Sequence, residues 1–294
     1  RSLAVRRHRA SCRGLSTFAR DFEFESMARR PMYEACPRWL IEQCQIGESS
    51  TVVDLGCGSG IVTELLLERS ARSRDFHVIA VDPSEWELEI ARSRIRDSRV
   101  TFIHGTAQDA VGRLAQADVD AVVLCNVLHQ VPRADRRSLL EGAFALLRPG
   151  GLVGANTLFY DGGVPRHTWA FYVRWMAEAR SILARELSTW EEPVTTPVAR
   201  QRLSPQQHRE LLQTIGFEDV HIEELPFEWT LEDWEALCRY SVFIQGALSP
   251  GIDLELGSRA LIEGVRIAFR TLGIQAVPRG WLHCVARRPS IAAA

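Results

Sequence analysis

The sequence contains no lysine; all 35 of its Lys/Arg positions are arginine. This excludes a lysine Schiff base or a lysine general base. Cysteine is scattered, with seven residues at 12, 36, 44, 57, 125, 238 and 284 and no C-x-x-C pair. An odd, dispersed set argues against a disulfide framework or a zinc site and fits a reducing, cytoplasmic setting. No apolar run approaches the ~20 residues that span a bilayer, so no membrane span is expected. The net charge is -2, so no global bias draws in nucleic acid. There is also no acidic residue before Asp21, while Arg1, Arg6, Arg7, Arg9, Arg13 and Arg20 crowd the same stretch. That composition is shared by organellar transit peptides, by tails, and by sequence upstream of a start at Met27. The expectation adopted is a weakly ordered Arg-rich tail over 1–30.

From Met32 the pattern becomes regular. A helix is expected over 31–44, with Tyr33, Trp39, Leu40 and Ile41 as its apolar stripe. Short apolar strands are expected at Thr51–Leu55, His77–Val81, Val100–Ile103, Ala121–Leu124 and Leu152–Ala155, with helical patterns between them. Ser84 and Glu87 have capping-box spacing, as do Ser204 and Gln207. Gly and Pro at 149–151 stop the helix expected over 134–147. Strands alternating with helices imply right-handed crossovers and a parallel sheet, and near-continuous apolar strands imply cover on both faces. The predicted fold is α/β: a doubly wound, seven-stranded, mostly parallel Rossmann-like sheet. Its core would cover 31–158, then 204–225, with a last strand in 279–288. Two segments break the rhythm, at 159–203 and 226–278. The first should hold a helix at 166–187, and the second two helices, the first of them capped by Thr230 and Asp233. Both are rich in aromatics and too long for plain connections. They are expected to form a helical lid.

The residues that carry chemistry begin at Asp54-Leu55-Gly56-Cys57-Gly58-Ser59-Gly60. A tight glycine turn between strand and helix lets backbone approach a ligand. The spacing is G-x-G-x-G, not the G-x-G-x-x-G of dinucleotide enzymes, which disfavours a nicotinamide oxidoreductase. An acid two residues before the first glycine would repel pyrophosphate but suits an ammonium group. Asp82, after the second strand, can accept hydrogen bonds from ribose hydroxyls.

Taken with V-D-P-S at 81–84, H-G-T-A-Q-D at 104–109, L-C-N-V-L-H at 124–129 and R-P-G-G at 148–151, this turn resembles class I S-adenosylmethionine-dependent methyltransferases. The resemblance implies S-adenosylmethionine as cofactor. Gly56, Cys57, Gly58 and Ser59 would line its methionine and ribose side. Asp54 would hold the amino end through water, and Asp82 with Pro83 the ribose. Thr106 and Ala107 would flank adenine, where family members often have Asp at the first position; Gln108 or Asp109 could substitute. Cys125 and Asn126 would lie near the transferring methyl.

Substrate classes can be argued down. The N/D-P-P-Y/F/W motif of amino-methylating nucleic-acid enzymes is replaced by Asn126-Val127-Leu128-His129. No acid falls between 121 and 131 to hold a guanidinium, as protein arginine methyltransferases require. Asn126, Asn156 and Asp161 are too sparse for a metal centre, so no metal is expected. A small, largely apolar or aromatic metabolite remains, methylated at O, N or C, as in secondary metabolism. Tyr33, Trp169, Tyr172, Trp175 and Met176 are the candidate substrate residues, because an aromatic-rich lid beyond the strands' carboxyl ends is where such a ligand binds. His129 is the first candidate general base and His167 the second. The alternative is a protein of the same fold that binds cofactor or product without turnover and regulates a partner. Homodimerisation is left open.

Overall fold

The computed structural model describes residues 25–28, 30–70, 73–114, 118–187 and 201–290. The rest of the predicted 1–30 tail, and 188–200 of the first insertion, lie outside them. Seven strands form one sheet: β1 (Thr51–Leu55), β2 (His77–Asp82), β3 (Val100–His104), β4 (Val119–Cys125), β5 (Leu147–Thr157), β6 (Glu218–Thr230) and β7 (Ala276–Arg287). Their order is β3-β2-β1-β4-β5-β7-β6. The first five run parallel, and β7 lies antiparallel between β5 and β6. Val52, Val53, Val78, Val81, Val122, Val123 and Leu124 are all buried, because helices cover both faces of the sheet.

The strand order reverses beside β1, which pairs with β2 on one side and β4 on the other. The connections leaving β1 and β4 therefore diverge, opening a crevice at the carboxyl ends of these strands. Helix α2 (Pro31–Gln43) packs against β5 and β7. Helices α3 (Ile61–Arg69), α4 (Glu85–Arg94), α5 (Ala107–Leu114) and α6 (Arg136–Leu146) follow β1, β2, β3 and β4. Ser84 caps α4 by accepting the Glu87 N–H, and Ser204 with Gln207 makes a full capping box on α8 (Pro205–Ile215).

The insertions build a helical layer from α7 (Trp169–Glu186), α9 (Leu231–Leu237), α10 (Ser241–Ala247) and α11 (Leu254–Leu272). Phe171, Trp175, Trp229, Trp234 and Phe269 form its centre. A Cβ on Gly264 would sit 2.9 Å from the Ala179 nitrogen, so glycine there lets α11 press directly onto α7. Trp175 Nε1 donates to the Leu261 carbonyl at 2.8 Å across the same contact.

Several boundaries differ from expectation. The second insertion holds three helices, not two, and residue 226 falls inside β6. The β6–β7 ladder runs from Glu218↔Arg287 to Thr230↔Ala276, so the sheet extends into the helical layer. Within the expected tail, Glu25–Ala28 forms a short helix, α1, and Met27 joins the apolar cluster of the helical layer. Arg30 Nε donates to Asp233 Oδ1 at 2.5 Å, tying this segment to α9.

Candidate active site

The Gly-rich turn follows β1 and is held from below: the Gly56 and Cys57 N–H groups both donate to the Val81 carbonyl, at 2.7 and 3.1 Å. Gly56 has φ +80°, and a Cβ there would meet Val127 Cγ2 at 2.4 Å. Both facts require glycine. The contact also shows how closely the loops after β1 and β4 approach. Gly58, at φ +51°, has only Glu87 Oε2 near its missing Cβ, at 3.9 Å, so its outer side opens onto the crevice.

Asp82 closes this loop. Its Oδ2 accepts the Gly58 N–H at 2.9 Å and its Oδ1 accepts the Ser84 N–H at 2.8 Å. Burial raises its pKa, and these two backbone bonds oppose the shift. Asp54 lies deeper. Its Oδ2 accepts the Thr63 hydroxyl at 2.7 Å, while Oδ1 is buried with no protein partner. Burial pushes its pKa up to about 7, with Asp82 adding repulsion. A buried carboxylate oxygen without a donor suits a cationic ligand group.

Asn126 follows β4 in a left-handed conformation, φ +58°. Its backbone N–H donates to Asn156 Oδ1, and its own Oδ1 accepts the Leu158 N–H at 3.0 Å. The carboxamide Nδ2 is buried beside the Tyr33 phenol. Tyr33, from α2, stands near Cys125, Asn126 and Asp54, and burial raises its pKa well above the usual phenol value.

These groups surround a cavity of about 890 Å³. Its lining includes Gly56, Cys57, Gly58 and Ser59 of the turn with Ile61, then Asp82, Pro83, Trp86 and Ile90 at and after β2, Cys125 and Asn126 after β4, Tyr33 of α2, and Tyr240 and Val242 of the second insertion. Most of the expected cofactor set is thus brought together, and Tyr33 with it. Asp54 stands just beneath the loop. Thr106, Ala107 and Gln108 do not line the cavity: the Thr106 N–H and hydroxyl bond to Asp109 Oδ2, and Gln108 Nε2 donates to Ser138.

The expected catalytic and lid residues are placed differently. His129 is buried behind the cavity wall, its Nδ1 3.1 Å from Thr157 Oγ1 and its ring against Phe159. Burial, helped by Arg136 and Arg202, pushes its pKa down to about 3, too low for an effective base near neutrality. His167 is exposed. Trp175 is buried in the core of the helical layer, Tyr172 and Met176 pack partly against it, and Trp169 is 64% exposed. The α7 pattern defines two aromatic faces, and the packed one turns toward α11 rather than toward the cavity. Sequence reasoning missed Trp86 and Val242, whereas Tyr240 belongs to the aromatic-rich second insertion expected over the site. Trp86 sits four positions before the cavity-lining Ile90 without lying in any motif.

Residues 52–151 match the family model of the methyltransferase domain. The chain is 30% identical over 168 residues to a ubiquinone biosynthesis O-methyltransferase of Methylocella silvestris, covering 49% of this chain and 60% of that one. It is likewise 30% identical over 168 residues to a trans-aconitate 2-methyltransferase of an Azoarcus species, covering 56% and 62%. It therefore spans about three fifths of the length of these curated relatives. A SAM-dependent methyltransferase from Archaeoglobus fulgidus shares the fold, with a TM-score of 0.54 at 16% identity over 92% of this chain and 99% of that one. These likenesses place a methyltransferase domain at residues 52–151, on the Rossmann-like methyltransferase fold.

Proposed function

We propose that this chain transfers a methyl group from S-adenosylmethionine to a small, largely apolar or aromatic metabolite, at O, N or C. One observation carries the reading: a single cavity joins a glycine-and-carboxylate cradle to an apolar, tyrosine-bearing wall. The residues present fit the cofactor. The unpartnered Oδ1 of Asp54 would balance its ammonium group, directly or through water. Asp82 would accept from the ribose hydroxyls with lone pairs left over from its two backbone bonds. Gly56 and Gly58 would let the loop backbone lie against the methionine arm.

When bound, S-adenosylmethionine supplies an electrophilic methyl on a sulfonium centre. The protein's part is to hold the acceptor in line and keep water out. Tyr33, Tyr240 and Val242 would form the wall against which the acceptor lies, and Asn126 Nδ2 would donate to its polar group. Positioning of this kind can supply much of the rate without a general base, which suits a cavity from which His129 is withdrawn. The two relatives act, by their names, on a ubiquinone precursor and on trans-aconitate; both are small molecules. The test is calorimetry of the purified chain with S-adenosylhomocysteine and with NAD, followed by labelled S-adenosylmethionine against a metabolite extract. Binding of the first ligand alone and a labelled small product support the reading. Tight NAD binding with no response to S-adenosylhomocysteine overturns it.

A further inference from the structure

Arg279, on β7, is 3% exposed, and among the described residues no carboxylate pairs with it. Its Nη1 donates to the Tyr172 hydroxyl at 2.9 Å, and its Nη2 makes a long 3.3 Å bond to the Leu158 carbonyl. Nε has no partner. The guanidinium lies 5.7–5.9 Å from the ring centroids of Phe159, Trp229 and Trp234. Aromatic faces attract a cation but do not satisfy its N–H groups. A buried charge with an unused donor is costly unless something completes it.

The position within the fold indicates what completes it. Arg279, Trp281 and His283 alternate along one face of β7. Trp281 touches Tyr33, a cavity wall residue, at 5.8 Å between rings. Phe159 touches both Arg279 and Phe243, the neighbour of the cavity-lining Val242. Arg279 therefore stands one layer behind the apolar end of the cavity, away from the glycine cradle. The edge formed by Nε and Nη2 carries an empty donor beside a weakly used one, which is the side-on fork that takes a carboxylate bidentately.

We propose that Arg279 anchors a carboxylate on the far end of the methyl acceptor, so that the acceptor is an aromatic or apolar acid. This rests on the methyltransferase reading above. The ring shell of Phe159, Trp229 and Trp234 would hold the apolar body next to the acid, and Phe159 would move aside to admit it. Arginine is suited to this task and lysine is not, because the fork fixes orientation as well as charge.

The test measures, by calorimetry with S-adenosylhomocysteine present, the binding of benzoate, phenylacetate, cinnamate and 3-phenylpropanoate and of their primary amides. The wild-type chain should bind at least one acid tenfold or more tighter than its amide. Arg279→Met should bring that ratio below about threefold, with S-adenosylhomocysteine affinity unchanged, and Arg279→Lys should restore only part of it. Equal affinity for acids and amides, or binding of none of them, overturns the proposal, as does a preference that survives in Arg279→Met. Should that variant fail to fold, Tyr172→Phe, which frees a second guanidinium donor while keeping the ring, must strengthen the acid preference. Loss of S-adenosylhomocysteine binding by the wild-type chain would instead sink the underlying methyltransferase reading.

Discussion

Asn156 holds Asn126 in place. The Asn126 N–H donates to both the side-chain and main-chain oxygens of Asn156, each at 3.1 Å, and so fixes the left-handed turn of a residue that lines the cavity. Removing one of two acceptors should cost about 0.5–1.5 kcal/mol. Asn156→Ala should lower stability by that amount in urea melts, and weaken S-adenosylhomocysteine binding severalfold, because the loop after β4 loosens. An unchanged midpoint and unchanged affinity would mean that the main-chain oxygen alone sets the turn.

Gly56 faces two constraints, and they can be separated. Gly56→Ala adds a methyl 2.4 Å from Val127 Cγ2 and forces a side chain onto φ +80°. Affinity for S-adenosylhomocysteine should fall more than about tenfold, near 1.4 kcal/mol. Val127→Ala in the same chain removes the clash but not the strain, which is of order 1–2 kcal/mol. Partial recovery is therefore expected by calorimetry. Full recovery would show that the clash alone mattered.

Asp82 serves the loop as well as the ligand. Asp82→Ala leaves the Gly58 and Ser84 N–H groups without their acceptor, so stability should fall by about 1–3 kcal/mol along with at least tenfold in cofactor affinity. Asp82→Asn keeps one acceptor and should retain most of the stability while losing affinity. If both variants bind as the wild type does, the ribose lies elsewhere.

Asp54 gives a pH signature. Its folded pKa, about 7, is above its ordinary carboxyl value, so the folded state binds the proton more tightly. Its contribution to stability is then fully present below about pH 4 and is lost as pH rises through 7. His129 and His283 act oppositely: burial lowers them to about 3 and about 4, so their contribution is present above about 6.5 and lost as pH falls through those values. The comparison with Asp54→Asn isolates the carboxylate. The wild type, relative to that variant, should lose stability between pH 5 and 7.5 in urea titrations. An ammonium ligand favours the ionised form, so wild-type affinity for S-adenosylhomocysteine should rise over the same range and the variant's should not.

The sheet was legible because its signals are local. Gly56, Gly58 and Gly60 mark a turn that only glycine can make, and Val52–Val53, Val78–Val81 and Val122–Leu124 read as strands buried on both faces. The capping pairs Ser204–Gln207 and Thr230–Asp233 were legible for the same reason, since each partner lies three residues from the other. The extension of β6 past Leu225 was not: the second break in the rhythm is placed at 226, whereas pairing of Pro226 with Gly280 and of Phe227 with Arg279 carries the strand on. The acceptor wall was not legible either. Helical periodicity in α7 sorts Trp169 with Val173 and Phe171 with Trp175, but which face meets protein is decided by α11, more than 80 residues away in the chain.

That packing sets the last prediction. Trp169 and Val173 are 64% and 54% exposed on α7, while Trp86, at the start of α4, lines the cavity beside Ile90. If the acceptor's apolar body rests on the cavity wall, Trp86→Ala removes contact area from the bound state and Trp169→Ala removes none. A partly buried indole face contributes roughly half of the ~3 kcal/mol that full burial of a large apolar side chain gives, or about tenfold in affinity. Trp86→Ala should therefore raise the KM for the acceptor about tenfold, and Trp169→Ala should leave it within about twofold. Steady-state kinetics on the product found in the labelled extract makes the comparison. A large effect at Trp169 with none at Trp86 would move the acceptor onto the outer face of α7 and away from the cavity described above.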